Sequence, residues 1–233
     1  MAKAKKEKNP DQNGEHSQKA YKGIRQLLYL KELVPGQKIS CREVADKLKM
    51  SLTPVIQALK LMEIQGFVRH EPNRGFFLTP FSMEEVKEIY ELRRLIEPAL
   101  LPATISRIGK SGMKELKTAL DAHVSAGQEP FMQDRLLRNV EFHLTLAALS
   151  GLDTHIRILR QLYNLLFLKY GGNYLPVAFT SSVNDDHQRI YDAVCARNVA
   201  LAQKILTGHI ADVKERVLES AEKMSGKVDI PDF

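Results

Sequence analysis

Residues 35–79 decide the fold of the first third of this chain, and they read PGQKISCREVADKLKMSLTPVIQALKLMEIQGFVRHEPNRGFFLT. Ser40 and Glu43 have the spacing of a helix-capping box, which predicts that a short helix starts just after Ser40. After a tight connection, Thr53 suits the N-cap of a second helix. Pro54 suits the first position of that helix, because proline has no N–H group to leave unpaired there. The stretch therefore predicts two short helices joined by a tight turn.

Short apolar runs at residues 67–70 and 76–79 follow the second helix and flank a turn-forming segment, EPNRG. This pattern predicts a β-hairpin. On the N-terminal side, apolar residues at helical spacing predict one more helix over residues 21–33. Three helices followed by a hairpin are the plan of a winged helix-turn-helix, which we place at residues 21–80.

The excess positive charge lies in the same part of the chain. Residues 1–80 hold 15 Lys and Arg against 8 Asp and Glu, whereas residues 81–233 hold 19 against 20. Without residues 1–20, which we predict to be a disordered basic tail, residues 21–80 still hold 10 basic against 5 acidic side chains. Such an asymmetry indicates an anionic partner, and double-stranded DNA fits it best. A winged helix that binds another protein, with its charges solvated, is the alternative.

The rest of the chain has helical signals only. Glycines and capping residues divide residues 81–225 into about six amphipathic helices, which predicts an all-α bundle. Residues 226–233 form a predicted C-terminal tail. The predicted fold class is therefore mainly α, with an N-terminal winged helix-turn-helix joined to an all-α helical bundle.

Composition bears on the location of the protein. No apolar run reaches the roughly 18 residues that a membrane span needs, so no membrane association is expected. The two cysteines, Cys41 and Cys195, are too few and too far apart for a disulfide framework. Free cysteines are typical of a reducing compartment, and we expect a cytoplasmic protein.

Several segments resemble families of bacterial regulators. PGQKIS, the TPV start of the second helix, QALKLMEIQGFV and the RG of the hairpin turn resemble the winged helix-turn-helix of GntR-type transcription regulators. Farther along, ELRRLIEP, NVEFH, DHQRIYDAV and GHI resemble the all-helical effector domain of the FadR-like subfamily, the FCD domain. The resemblance covers residues 21–222. It implies a homodimeric, ligand-responsive regulator that binds operator DNA, and specifically a repressor of a metabolic operon controlled by a small carboxylate effector.

The resemblance also implies which side chains approach the DNA. The candidates in the helix-turn-helix and at the wing tip are Arg42, Ser51, Thr53, Gln57, Lys60, Arg74 and Gly75. Hydroxyl, amide and basic side chains can reach phosphates and base edges. The family usually has arginines at the two positions that Leu52 and Ile56 hold here, so the usual base contacts are not expected.

The resemblance further implies a metal site in the bundle. In the family, an Asp or Asn followed four residues later by His, and then by two more His, binds a divalent ion. The residues that match this pattern are Asn139, His143, His187 and His209. Zinc, nickel or manganese would suit such ligands. A structural role for these histidines is the alternative, since single histidines on amphipathic helices are commonly structural. The histidines that we expect to be ordinary surface or structural residues are His16, His70, His123 and His155.

Arg93 lies in ELRRLIEP, on the same helix face as Glu97. In the resembled domain the corresponding arginine lies by the effector pocket, which implies that Arg93 holds the effector's carboxylate with its guanidinium fork. A salt bridge to Glu97, four residues farther on, is the alternative.

An enzyme is the competing functional class. Three histidines around a metal ion could activate water, as in a metal-dependent hydrolase. The sequence has no phosphate-binding glycine loop and no GxSxG or HExxH motif. Because a DNA-binding module is fused to the site, we expect a sensor and not an enzyme.

Overall fold

The structure is a computed structural model that describes residues 10–80, 82–126, 132–169 and 181–225. The chain divides into two compact units, the first ending at Phe81 and the second beginning at Ser82. Within the described ranges, no helix is both long enough and apolar enough to cross a membrane. The predicted tail at residues 226–233 lies outside these ranges.

The described part of the first unit contains three helices and a small sheet. In chain order these elements are α1 (Pro10–Tyr29), β1 (Lys38–Ile39), α2 (Cys41–Leu48), α3 (Leu52–Ile64), β2 (Val68–Glu71) and β3 (Gly75–Leu78). Helices α2 and α3 form the helix-turn-helix, and β2 with β3 forms the wing. The predicted winged helix-turn-helix is therefore confirmed.

Helix α1 begins earlier than the sequence predicts. It starts at Pro10 and not at residue 21, and Ala20 is fully buried. The residues just before Ala20 include Gln, Glu and Lys, which are good helix formers, so a helix anchored by packing can propagate through them. Residues 10–20 are thus helical, which corrects the predicted tail. Residues 1–9 lie outside the described structure.

The turn between α2 and α3 depends on local backbone features. The Ser40 hydroxyl accepts a hydrogen bond from the backbone N–H three residues farther on (3.3 Å), as the capping box predicts. Lys49 takes a left-handed conformation at the end of α2 (φ 53°), which turns the chain sharply. Ser51 is the N-cap of α3 in place of the predicted Thr53. Pro54 therefore lies inside the first turn, where no backbone hydrogen bond is lost.

The wing belongs to a three-stranded antiparallel sheet with the order β1-β3-β2. Strand β3 pairs with β2 in the register Val68↔Leu78 and with β1 in the register Lys38↔Phe77. The sequence does not predict β1, since a strand of two residues has no periodic pattern. In the hairpin turn, Gly75 has a φ of 95°, a conformation that favours glycine.

One apolar core holds the three helices of the first unit together. Its buried side chains on α1 and α3 include Ile24, Leu27, Leu28, Val55, Leu59 and Met62. Gly23 lets α1 approach α2 closely, because a Cβ atom at that position would lie 2.6 Å from Leu48 Cδ2. The buried residues of α3 share one side of the helix, which leaves its other side exposed.

The described part of the second unit is an all-α bundle, as predicted. Its helices are α4 (Met83–Arg107), α5 (Lys110–Ala126), α6 (Met132–Ala148), α7 (Asp153–Asn164), α8 (Ser181–Cys195) and α9 (Val199–Ser225). A π-helical turn at Leu165–Lys169 follows α7. Part of the core comes from α4, α6 and α7, through Leu100, Val140, Ala147, Leu159 and Tyr163.

Helix α4 carries buried charge into this bundle. The Ser82 hydroxyl caps it by accepting from the Glu85 N–H (3.2 Å). Two turns farther on, Arg93 and Glu97 are both buried, one helical turn apart. Buried charges are costly unless they are paired and hydrogen-bonded, so this segment of α4 needs polar partners from its neighbours.

Candidate metal centre and nucleic-acid interface

Three buried histidines meet inside the second unit. His143 lies on α6, His187 on α8 and His209 on α9. Each offers a ring nitrogen, and these three nitrogens lie within 4.8 Å of one another. The Nε2 atoms of His143 and His187 are 3.1 Å apart. Because metal–nitrogen bonds measure about 2.0–2.1 Å, one ion can bind two nitrogens at such a separation. The third ring nitrogen lies near this pair, which makes the cluster a candidate metal site.

A carboxylate fixes the orientation of the His143 ring. Glu97 Oε2 lies 2.7 Å from His143 Nδ1, and both side chains are buried. We assign the proton to Nδ1 from this contact, because an ionised carboxylate can only accept. The lone pair of His143 Nε2 is then directed away from Glu97. Metal-binding histidines commonly have a carboxylate partner of this kind.

Two further side chains hold Glu97 in place. Arg93 Nε donates to Glu97 Oε1 (2.8 Å), and the Tyr163 hydroxyl donates to the same oxygen (2.9 Å). The Arg93 guanidinium also lies over the rings of Tyr90 and Tyr163, at 4.8 and 4.4 Å from their centroids. The alternative salt bridge of Arg93 is therefore present, and its contact with an effector stays a prediction. Arg93, Glu97 and His143 form one continuous chain of buried polar contacts.

Burial and charge together set the protonation of this chain of contacts. Burial alone raises the pKa of Glu97, but the Arg93 charge and the contact with His143 lower that pKa to about 2. Burial lowers the pKa of His143 to about 4, against the opposing effect of Glu97. At neutral pH Glu97 is ionised and His143 is neutral. A neutral imidazole is the form that binds a metal ion.

The remaining two predicted ligands differ in their surroundings. His209 Nδ1 lies 3.6 Å from Asp186 Oδ2 on α8, and the contact with His209 lowers the pKa of Asp186. Asn139 is buried on α6, one turn before His143. That position agrees with the predicted ligand set, and the role of Asn139 as a ligand stays a prediction.

The structure adds a fourth histidine that sequence reasoning did not single out. His123 on α5 is buried, and its ring centroid lies 4.2 Å from that of His187. A signal was available in the sequence, because the spacing places His123 on the same face of α5 as the apolar Leu116 and Leu120. The structure buries both leucines. His123 therefore forms part of the wall around the three-histidine cluster.

The predicted DNA-contacting residues all lie in the first unit, and most of them are exposed. The exposed side chains are those of Arg42, Ser51, Thr53, Gln57, Lys60 and Arg74. Gly75, in the hairpin turn, is half-buried. Ser51 makes no side-chain capping bond, so its hydroxyl is available at the start of α3. These residues give α3 and the wing accessible polar groups.

Arg74 at the wing tip is already paired within the hairpin. It forms a salt bridge with Glu71, and Arg69 contacts the same carboxylate at 2.7 Å. The guanidinium groups of both arginines lie over the ring of Phe77. The Arg74 side chain is still 70% exposed, so a phosphate can reach it in competition with Glu71.

Comparison with known families identifies the chain. Residues 16–78 match the family described as bacterial regulatory proteins, gntR family, and residues 88–212 match the FCD domain. The chain belongs to the GntR family of regulators with an FCD domain. This GntR-family protein is a DNA-binding transcriptional regulator, which confirms the predicted resemblance and function class. The two matches give no support to the hydrolase alternative.

Individual relatives agree with this assignment. The regulator is 23% identical over 191 residues to the uncharacterized HTH-type transcriptional regulator YdhC of Bacillus subtilis, a match that covers 81% of this chain and 85% of YdhC. It is 21% identical over 209 residues to the HTH-type transcriptional repressor RspR of Escherichia coli, covering 90% and 92% of the two chains. Its fold is similar to that of E. coli McbR/YncC, with a TM-score of 0.75, 17% identity, and 90% and 98% of the chains covered.

Proposed function

We propose that this regulator is a homodimeric repressor that acts in the bacterial cytoplasm and responds to a small carboxylate held at a divalent metal ion. The observation that carries the proposal is the meeting of His143, His187 and His209 from three helices of the FCD domain. Repression is the output named for the relative RspR, and it is proposed here for this chain on that likeness.

The chemistry of the proposed ligands bears on the choice of metal and of effector. The proposed metal ligands are Asn139, His143, His187 and His209. Imidazoles suit zinc or nickel, and an amide oxygen also suits manganese. All four ligands are neutral, so they leave the positive charge of the ion uncompensated. An anionic effector is therefore favoured at this site.

Arg93 supplies a second reason to expect a carboxylate. Glu97 uses the Nε of Arg93, and a guanidinium has four more N–H groups on its terminal nitrogens. An acid that reaches these groups gains a charge-assisted hydrogen bond away from bulk water. The acid shifts the regulator between a DNA-binding and a non-binding arrangement only by the difference in its affinity for the two.

Exposed apolar side chains on α4 support the proposed dimer. Leu92 and Leu95 are both exposed, although leucines are more often buried. A two-fold dimer would present two copies of α3 to the DNA. We therefore expect the operator to contain two half-sites related as a palindrome.

Native mass spectrometry combined with metal analysis of the purified regulator tests the proposal. The expected result is a dimer with one divalent ion per subunit and a co-purified small acid. A protein that stays monomeric, or that takes up no ion after loading with Zn²⁺, contradicts it.

Arg42→Ala and Arg74→Ala are each expected to weaken operator binding by about 1.5–3 kcal/mol, the range for a hydrogen bond to a charged group. Both side chains are exposed, so the dimer should stay folded. Glu71→Gln is expected to act in the opposite direction, because it releases Arg74 from its salt bridge and removes one negative charge from the wing. Fluorescence anisotropy measures all three effects, with a labelled DNA duplex from the region upstream of the regulator's own gene.

The control for these variants is Lys204→Ala, which removes an exposed positive charge from the second unit. It should leave DNA affinity unchanged. Unchanged affinity in both Arg42→Ala and Arg74→Ala would show that α2 and the wing tip do not contact the operator.

Glu97→Gln is expected to weaken metal binding by about 10–100-fold, the usual cost of removing a partner of a metal-binding histidine. The substitution keeps the shape of the side chain and removes the charge that holds His143 Nδ1. Competition titration with a chromogenic Zn²⁺ chelator measures the affinity.

Glu91→Gln is the matched control for Glu97→Gln, because Glu91 lies on the same helix and pairs with Arg94 and Lys214 near the surface. Its Zn²⁺ affinity should equal that of the wild type. If Glu97→Gln also binds Zn²⁺ as the wild type does, Glu97 does not orient a metal ligand.

A further inference from the structure

Two apolar side chains lie at the start of the recognition helix. Leu52 is the first residue of α3 and is 41% exposed, and Ile56 follows one helical turn later and is half-buried. Buried Val55 and Leu59 lie on the flank of α3 next to Leu52 and Ile56, so these two side chains stand at the border between the buried and the exposed side of the helix. Leu52 and Ile56, which we call the apolar strip, leave part of their apolar surface accessible beside the core of the first unit.

The strip is surrounded by side chains suited to DNA. Ser51 and Thr53 place exposed hydroxyls on either side of Leu52, and Lys60 is exposed one turn beyond Ile56. Residues 21–80 carry 10 basic against 5 acidic side chains, a charge that fits a polyanion. The N-terminal end of a recognition helix is the part that meets base edges in the major groove. These features favour a DNA duplex as the occupant of this surface.

Apolar side chains leave one feature of the bases to be recognised. Leucine and isoleucine can neither donate nor accept a hydrogen bond, so they cannot match the polar groups of guanine, cytosine or adenine. The 5-methyl group of thymine is the apolar feature that the major groove presents. Contact with that methyl group removes apolar surface of both partners from water.

We propose that Leu52 and Ile56 recognise thymine methyl groups, so that each operator half-site contains thymine where the start of α3 enters the groove. The inference rests on the proposed DNA interface of α3 and adds the base class that this interface selects. It makes Leu52 and Ile56 specificity-determining residues, while Arg42, Lys60 and Arg74 supply affinity through phosphates.

The test begins with selection of binding duplexes from a random library by the full-length regulator. Each thymine of the selected half-site is then replaced by uracil, which lacks only the 5-methyl group. At the contacted positions we expect a loss of about fourfold in affinity for each methyl group removed. For a symmetric pair of half-sites the loss should be about 10–20-fold, because well-separated positions are roughly additive.

Leu52→Ala assigns the effect to the strip. This variant should bind the thymine and uracil duplexes with nearly equal affinity at the position that Leu52 contacts. Its dependence on salt should match that of the wild type, because no phosphate contact is removed. Leu30→Ala is the control, since Leu30 is 53% exposed in the same unit and lies outside the helix-turn-helix. It should keep the full preference for thymine.

The possible outcomes separate this inference from the proposal on which it rests. Wild-type protein that binds every uracil duplex as tightly as the thymine duplex overturns the inference and leaves the DNA interface intact. Retention of the full preference in Leu52→Ala overturns the assignment of the thymine contact to Leu52. Failure to select any duplex overturns the α3 interface itself, and the inference with it.

Discussion

Operator binding by this regulator is expected to weaken by about 10³–10⁵-fold when the salt concentration rises from 50 to 200 mM. Such a loss corresponds to about 6–10 phosphate contacts made by one dimer. The basis is the charge of the DNA-binding unit, where residues 21–80 hold 10 basic and 5 acidic side chains. Each phosphate that a basic side chain neutralises releases counterions, and added salt opposes that release.

Binding isotherms at four or more salt concentrations check this prediction. They give the slope of the logarithm of the binding constant against the logarithm of the salt concentration. Lys60→Ala removes one exposed positive charge from α3 and should reduce the slope by about 1 for each phosphate that Lys60 neutralises in the wild type. The exposed Lys204 of the second unit provides the control, because Lys204→Ala should leave the slope as it is. Binding that does not depend on salt would contradict an interface built on phosphates.

The helix-turn-helix could be predicted because its determinants are local. The cap at Ser40, the apolar spacing of α2 and α3, and the turn residues before Gly75 each act over a few residues. The start of α1 could not be placed in this way. Residues 10–19 have no apolar stripe of their own, and they are helical in continuity with the packed residues that follow Ala20.

The three-histidine cluster could be predicted from a family pattern, and its supporting contacts could not. The sequence relates Glu97 only to Arg93, four residues away on the same helix. The contact of Glu97 with His143 joins α4 to α6 across 46 residues of sequence. Helical periodicity relates only residues within one helix, so it does not predict this contact. The packing of His123 on His187 could not be predicted for the same reason, because it depends on how α5 lies against α8.

Truncation of His143 or His187, two of the proposed metal ligands, is expected to remove the whole stabilisation that a bound metal ion gives. When free Zn²⁺ exceeds its dissociation constant about 1,000-fold, binding to the native state adds about 4 kcal/mol to the free energy of unfolding. For a domain of about 150–250 residues, each kcal/mol raises Tm by about 2–4 °C. The wild-type Tm should therefore rise by about 8–16 °C with Zn²⁺. His143→Ala and His187→Ala should show no rise.

The comparison is made within each variant, between the metal-loaded and the chelator-treated protein. Loss of a buried ring also costs packing energy, and this cost cancels in the difference. His155→Ala is the matched control, because His155 is an exposed histidine of the same unit. It should keep the full rise. If Tm rises with Zn²⁺ in both His143→Ala and His187→Ala as much as in the wild type, the three histidines have a structural role only.

The same assay separates the metal ligands from Arg93. Arg93→Ala leaves the buried Glu97 carboxylate without its counter-charge, at a cost of about 3–5 kcal/mol in buried pairs, so Arg93→Lys is the better variant. Lysine keeps the positive charge and lacks the planar fork that binds a carboxylate.

We expect Arg93→Lys to keep the rise in Tm with Zn²⁺. It should lose the further rise in Tm that a matching acid gives the wild type. A screen of small mono- and dicarboxylates on metal-loaded protein measures this second rise. An equal response of both proteins to every stabilising acid would assign the effector contact to other side chains of the bundle.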